Sequence, residues 1–364
     1  MQLGCTSDSV HALWRVHRHG QCPGAGPCHP TQRPVGVCPQ SPRRLRGVAW
    51  CRSGRGGAVS TALDFPPPLV VLSPPRSFSS LTSAMLGAHP QSAGLPELQL
   101  FMTDHMDQLL KFFALSPGNL QDGLLRSVAQ LYFGEQTDAS VDQAKGWLAE
   151  RRHLSTAAMF QLLARKVAPQ VLVEKSIATV WRPGFLRRLK QAAPHARYLH
   201  LLRHPRGQCS SLVNMIGHRE DSVAADLKDH STDPPTFDPQ IAWLQIHQNI
   251  LRALSDVPAE QVMRVRGEDV LADPERHLTE IVRWAGMRDD ADALDAMLHP
   301  ERSIFARIGP PSAPYGSDPK FLENPVFRPQ QSKPQSLEGP LPWRDDLPGF
   351  VPEVLEQARA FGYR

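Results

Sequence analysis

The chain has 364 residues, 35 of them proline and 25 glycine, with a formal charge of +4, which is enough for one large α/β domain or two smaller ones. The charge is lopsided: the first 66 residues hold eight arginines, no lysine and two acids, so they carry +6 and the body is left with −2. The basic balance therefore belongs to the leading segment, which excludes reading the body as a nucleic-acid binder. No apolar run approaches the ~18–20 residues of a membrane span, and the N-terminus lacks a signal-peptide core.

Residues 1–66 show no sustained helical or strand period, and they read as a disordered extension rich in Arg, Pro, Gly and Cys. Cys5, Cys22, Cys28, Cys38 and Cys51 fall in it, at spacings that fit no zinc pattern. The body, 67–364, keeps only Cys209, and nothing there calls for an oxidising compartment. The expectation is a cytoplasmic protein that needs no metal.

Along the body, short apolar runs predict strands at 68–73, 170–175, 197–203 and 261–266. Helical spacing predicts helices at 77–88, 104–114, 120–133, 155–167, 184–192, 207–217, 239–255, 274–286 and near 351–361. Strands alternating with helices imply a parallel sheet covered on both faces, with its ligand beyond the carboxyl ends of the strands. Arg76, Lys175 and Arg203 stand at or just past three of those ends, a basic triangle that implies an anionic ligand. The polar stretch 218–239 reads as a surface insertion or lid, and the Pro-rich stretch 309–342 as a cover.

The run "LSPPRSFSSL" after the first strand has the layout of a strand, an anion-cradling turn and a helix N-terminus. Ser77, Ser79 and Ser80 add hydroxyl donors there, and Arg76 adds a planar fork suited to phosphate or sulfate. The G-x-x-x-x-G-K-[ST] pattern is missing, so an ordinary ATP or GTP hydrolase is disfavoured. In "LLRHPRGQCSSL", Arg203 ends a strand and Ser211 follows eight residues later, two turns into a helix, so both can converge on one phosphate. Structural alternatives stand beside these readings: Arg76 as a solvated charge, Glu97 as a helix cap, Lys175 as a surface partner of Glu174. Arg206 reads as a solvated helix-start charge, with a third contact to the phosphate as the alternative, and His200 and His204 as core or edge residues.

Taken together, "PPRSFSS", "EKS", "RHPRGQCSS" and "RGEDVLADP" resemble the sulfotransferases that use 3′-phosphoadenosine-5′-phosphosulfate (PAPS). The resemblance spans about 67–364 and is nearest to two branches, the protein-tyrosine sulfotransferases and the bacterial and polyketide-synthase sulfotransferases. It implies a P-loop-NTPase-like α/β fold, PAPS as co-substrate and an alcohol acceptor, small or carrier-tethered. It implies a 5′-phosphosulfate loop of Arg76, Ser77, Phe78, Ser79 and Ser80, with Arg203 and Ser211 on the 3′-phosphate. Lys175 corresponds to the catalytic lysine. Glu97, in "LPELQLF" and 21 residues after Arg76, corresponds to the general base. Ser317 and Lys320, in "YGSDPKF", are the candidates for a late nucleotide-covering segment. Three positions depart from the pattern. Phe78 replaces a glycine, so a φ > 0 conformation is not expected there. Ile177 replaces a proline, and Gly267 replaces a tyrosine and removes a nucleotide contact. Two rival readings are a P-loop-like kinase and a nucleotide-binding protein of this fold with weak or no activity.

Overall fold

The computed structural model describes residues 64–116, 119–217, 227–329 and 335–364. Of the segment 1–66 expected to be disordered, residues 1–63, with their five cysteines, lie outside the described residues, as do 218–226 of the polar insertion and 330–334 of the Pro-rich stretch.

The apolar runs form strands β1 (Leu69–Leu72), β3 (Val171–Glu174), β4 (Arg197–Leu202) and β7 (Val262–Arg266). A three-residue strand, β2 (Ser92–Gly94), joins them at one edge. These five pair in parallel, in the spatial order β2-β3-β1-β4-β7. The described part of the polar insertion adds a small antiparallel ribbon, β5 (Lys228–Asp229) with β6 (Thr236–Phe237).

Both faces of the sheet are buried because successive side chains alternate between them. Val70 and Leu72 enter one apolar cluster, while Leu69 and Val71 enter the other. Phe65 is buried in the first cluster.

Thirteen α-helices are described. From β1 to β3 the chain forms α1 (Ser79–Gly87), α2 (Met106–Leu115), α3 (Asp122–Phe133), α4 (Asp138–Glu150) and α5 (Thr156–Val167). Next come α6 (Pro183–Ala192), α7 (Pro205–Ile216) and α8 (Pro239–Leu254). After β7 come α9 (Gly267–Ala272), α10 (Pro274–Trp284), α11 (Ala291–Leu298), α12 (Pro319–Glu323) and α13 (Pro352–Ala360). Behind α13, Phe361 and Tyr363 pack into a third cluster with Trp243 and Leu202.

The first helix and the edge strand are in unusually close contact. A Cβ on Gly94 would lie 2.7 Å from the Cα of Gly87, so α1 and β2 meet backbone to backbone. That contact fixes the path of the chain leaving β2 toward Glu97. Among the described residues no helix is long and apolar enough to cross a membrane.

Candidate active site

Each strand of the parallel sheet delivers a residue at or just past its carboxyl end. In spatial order these are Glu97 after β2, Lys175 after β3, Arg76 and Phe78 after β1, Arg203 after β4 and Gly267 after β7. Ligands of open α/β sheets sit at this edge. The basic triangle read from the sequence is thus assembled.

The turn after β1 is strained. Among the described residues three non-glycines have positive φ: Arg76 at 66°, Phe78 at 62° and Gln99 at 52°, and all three belong to this edge. Such conformations persist only where surrounding contacts over-determine them. Phe78 therefore corrects the expectation from its side chain: it takes the left-handed conformation that the pattern's glycine would take. Room for its ring exists because residue 267 has no side chain. A Cβ there would lie 2.8 Å from Cδ2 of Phe78.

Loop carbonyls are held from outside, Pro75 O by Gln208 Nε2 at 2.8 Å and Arg76 O by Arg203 Nη1. Arg76 Nε donates to Ser211 Oγ at 3.1 Å, and Arg76 Nη1 pairs with the Asp318 carboxylate. Arg76 is therefore no solvated charge; its fork already holds an anion. The Ser77 hydroxyl is buried without a partner among the described residues. Phe78 is the N-cap of α1 and supplies no side-chain cap, and the first turn carries no acid to offset the dipole. Arg203 is mostly buried, with its Cζ 4.2 Å from the Phe78 ring centroid. Burial pulls its pKa down, and the nearby Glu268 charge offsets this only in part.

Next to the loop, Lys175 Nζ donates to Glu97 Oε1 and, at 3.1 Å, to Ser80 Oγ. The lysine's partner is thus Glu97 and not Glu174, and Glu97 lies in coil after β2 instead of capping a helix. The second Glu97 oxygen accepts from Gln99 Nε2 at 2.8 Å. Gln99 is itself anchored at both ends, its N–H on Ser176 Oγ at 2.9 Å and its Oε1 on the Ala178 N–H at 3.3 Å. Ser176 also donates to Glu174, whose carboxyl is driven up to about 7 by burial, against that hydrogen bond and with the Glu97 charge adding to the rise.

The Pro-rich segment folds over this edge. Glu97 N–H donates to Gly316 O at 2.7 Å, and Tyr315 N–H donates to Asp122 Oδ2 at 2.9 Å. Arg126, fully buried, donates to Tyr315 O at 2.6 Å and to Gln136 Oε1 at 2.8 Å. Ser317 lines a small cavity with Ser80, Pro96 and Arg126. Lys320 stands exposed in the first turn of α12, and Asp318, which lies between these two in the chain, is the residue that reaches Arg76. Arg206 is more than a solvated helix-start charge: half-buried, it donates to the carbonyls of Ser336, Glu338, Gly339 and Pro340 and clamps that turn. His200 and His204 are buried, in keeping with a core or edge role.

Two residues of this site escaped sequence reasoning. "DP" before a helix signals Asp318 as a cap, which it also is, through Lys320 N–H at 3.0 Å, but not as a partner of Arg76. Gln99 had no signal, since its role depends on a bent backbone.

A profile of the Sulfotransferase family matches residues 67–291, and the chain belongs to this family. No curated protein matches. Among solved structures the chain is similar to the sulfotransferase domain from the curacin biosynthetic pathway, at 22% identity and TM-score 0.64, with 82% of this chain and 98% of that one covered. It is also similar to the sulfotransferase domain of the Synechococcus PCC 7002 olefin synthase, at 24% identity and TM-score 0.63, covering 82% and 96%. At such identities the likeness concerns the fold: an α/β fold with a parallel sheet flanked by helices, P-loop-like as in these sulfotransferases.

Proposed function

We propose that this protein transfers a sulfuryl group from PAPS to a hydroxyl acceptor by in-line displacement. The observation that carries the reading is the order of groups along the sheet edge: a carboxylate (Glu97), an ammonium (Lys175), a guanidinium-bearing turn (Arg76), then a second guanidinium (Arg203). That order suits a proton acceptor, a leaving oxygen, a 5′-phosphosulfate and a 3′-phosphate in sequence. The donor set suits the nucleotide as well, with two guanidinia, the Ser77 hydroxyl, buried and without a partner among the described residues, and Ser79, Ser80 and Ser211 beside an acid-free helix start.

In this mechanism Glu97 takes the proton of the acceptor hydroxyl as its oxygen attacks sulfur. Gln99 occupies one Glu97 oxygen, so Oε1, the oxygen facing Lys175, receives the proton. The bond from sulfur to the bridging oxygen of the 5′-phosphate breaks, and Lys175 leaves Glu97 to meet the charge that grows on that oxygen. Arg76 exchanges Asp318 for the phosphosulfate, while Arg203 and Ser211 hold the 3′-phosphate. Ser317 and Lys320 belong to the segment that closes over the nucleotide. Most of the catalysis is positioning and electrostatics, as in phosphoryl transfer.

The acceptor in this reading is an alcohol, small or carrier-tethered, and the reaction runs in the cytoplasm. The tethered form is supported by the likeness to domains named for the curacin pathway and an olefin synthase. The test is incorporation of labelled sulfate from PAPS into a metabolite extract and into a hydroxyacyl group on a carrier protein, with products read by mass spectrometry. Turnover that persists without Mg²⁺ separates this reading from a kinase. No incorporation into either pool, with ATP-dependent transfer instead, overturns it.

A further inference from the structure

We infer that Phe78 is a positioning residue for nucleotide recognition: its ring, seated in the space left by Gly267, holds the Arg203 guanidinium where a 3′-phosphate is met. The inference rests on the sulfotransferase reading of this site. A phenylalanine at φ 62° is held against a preference of about 1–2 kcal/mol, so its surroundings must fix it there. They do so from two sides. A side chain at position 267 would collide with the ring, its Cβ only 2.8 Å from Cδ2 of Phe78, 3.2 Å from Leu202 O and 3.4 Å from Ser77 O. Opposite, Arg203 Cζ stands 4.2 Å from the ring centroid. The same guanidinium donates to the carbonyl of Arg76, so Phe78 and Arg76 locate it together. Glu268, the nearby acid, spends its oxygens on the His204 N–H at 2.8 Å and the Tyr363 hydroxyl at 3.1 Å. The ring thus supplies orientation without supplying a counter-charge, which leaves Arg203 cationic toward an incoming anion. Two of the three positions that depart from the family pattern, Phe78 and Gly267, are therefore one arrangement, with bulk absent at 267 and present at 78.

The test is a swap read by calorimetric binding of adenosine 3′,5′-bisphosphate and of 5′-AMP, which lacks the 3′-phosphate. Phe78→Gly should weaken the bisphosphate about tenfold and 5′-AMP by less than about twofold, so the preference for the 3′-phosphate collapses. Phe78→Leu, which keeps apolar bulk without a ring, should lose the preference likewise, and Phe78→Tyr should retain it. Gly267→Tyr alone should lose it through the collision, and Phe78→Gly with Gly267→Tyr should regain part of it. An unchanged preference in Phe78→Gly and Phe78→Leu overturns the inference while leaving the sulfotransferase reading intact. A parent protein that binds neither nucleotide overturns both.

Discussion

Replacing Glu97 by glutamine separates proton transfer from everything else the site does. Glutamine keeps the shape and can still accept a hydrogen bond from Lys175 or Gln99, but it cannot take a proton at neutral pH. Losing a positioned general base costs about 10²–10⁴ in rate, or roughly 3–5 kcal/mol of transition-state stabilisation. Stability falls as well, because the Lys175 side chain is only 4% exposed and Glu97 12%, so the ammonium loses a buried counter-charge. Removing one member of a buried pair costs about 3–5 kcal/mol, and the retained amide acceptor cuts this to about 1–3 kcal/mol. That corresponds to a melting point lower by roughly 2–5 °C for a body of this size. The assay is single-turnover transfer from labelled PAPS, with nucleotide affinity measured on the same preparation. A variant with parental turnover would refute Glu97 as the base. So would a variant whose lost turnover is fully matched by lost nucleotide affinity.

Arg203→Ala should abolish the rise in melting temperature that saturating adenosine 3′,5′-bisphosphate gives the parent, a stabilisation of about 3 kcal/mol at a hundred times Kd. Asp318→Asn should tighten bisphosphate binding a few-fold at low salt, because the internal carboxylate no longer competes for Arg76, and the gain should shrink at high salt. Glu174→Gln probes a pH effect. Burial raises the Glu174 carboxyl to about 7, so between its ordinary 4.5 and that value the folded state binds more protons than the unfolded one. Parental stability therefore falls as pH rises through this window. The glutamine variant should exceed the parent above pH 7 by on the order of 3 kcal/mol and converge with it near pH 4.5, read by urea unfolding at several pH values.

The central strands were legible because Leu69–Leu72 is a continuous apolar run and Arg197–Leu202 a largely apolar one, as in a sheet buried on both faces. The strand Ser92–Gly94 was not legible. Its three small residues carry no β signal, and it exists because Gly87 lets α1 lie against it. The helix Asp138–Glu150 was hidden by its many charged and polar residues and a glycine, and its clearest mark is the cap that Thr137 and Ser140 build. At the site, Arg76, Lys175, Arg203 and Ser211 were readable from strand ends and spacing. The turn was misjudged at Phe78 because steric preference was applied to one residue, whereas the space for its ring is set by Gly267, far away in sequence. Asp318 and Gln99 went unread for the same reason: each acts through a contact that only the folded chain creates.

The pairing of Arg76 with Asp318 links residues 242 positions apart, and that of Arg76 with Ser211 links residues 135 apart. At about 5–20 residues per second of synthesis, the turn after β1 waits roughly 10–50 s for its carboxylate partner to be made. Through the earlier part of that interval, until Arg203, Ser211 and Gly267 are made, the nascent chain lacks the contacts that hold Arg76 and Phe78 left-handed. The turn is therefore completed late in translation, and a chain cut short before residue 318 lacks the internal anion of its own anion site.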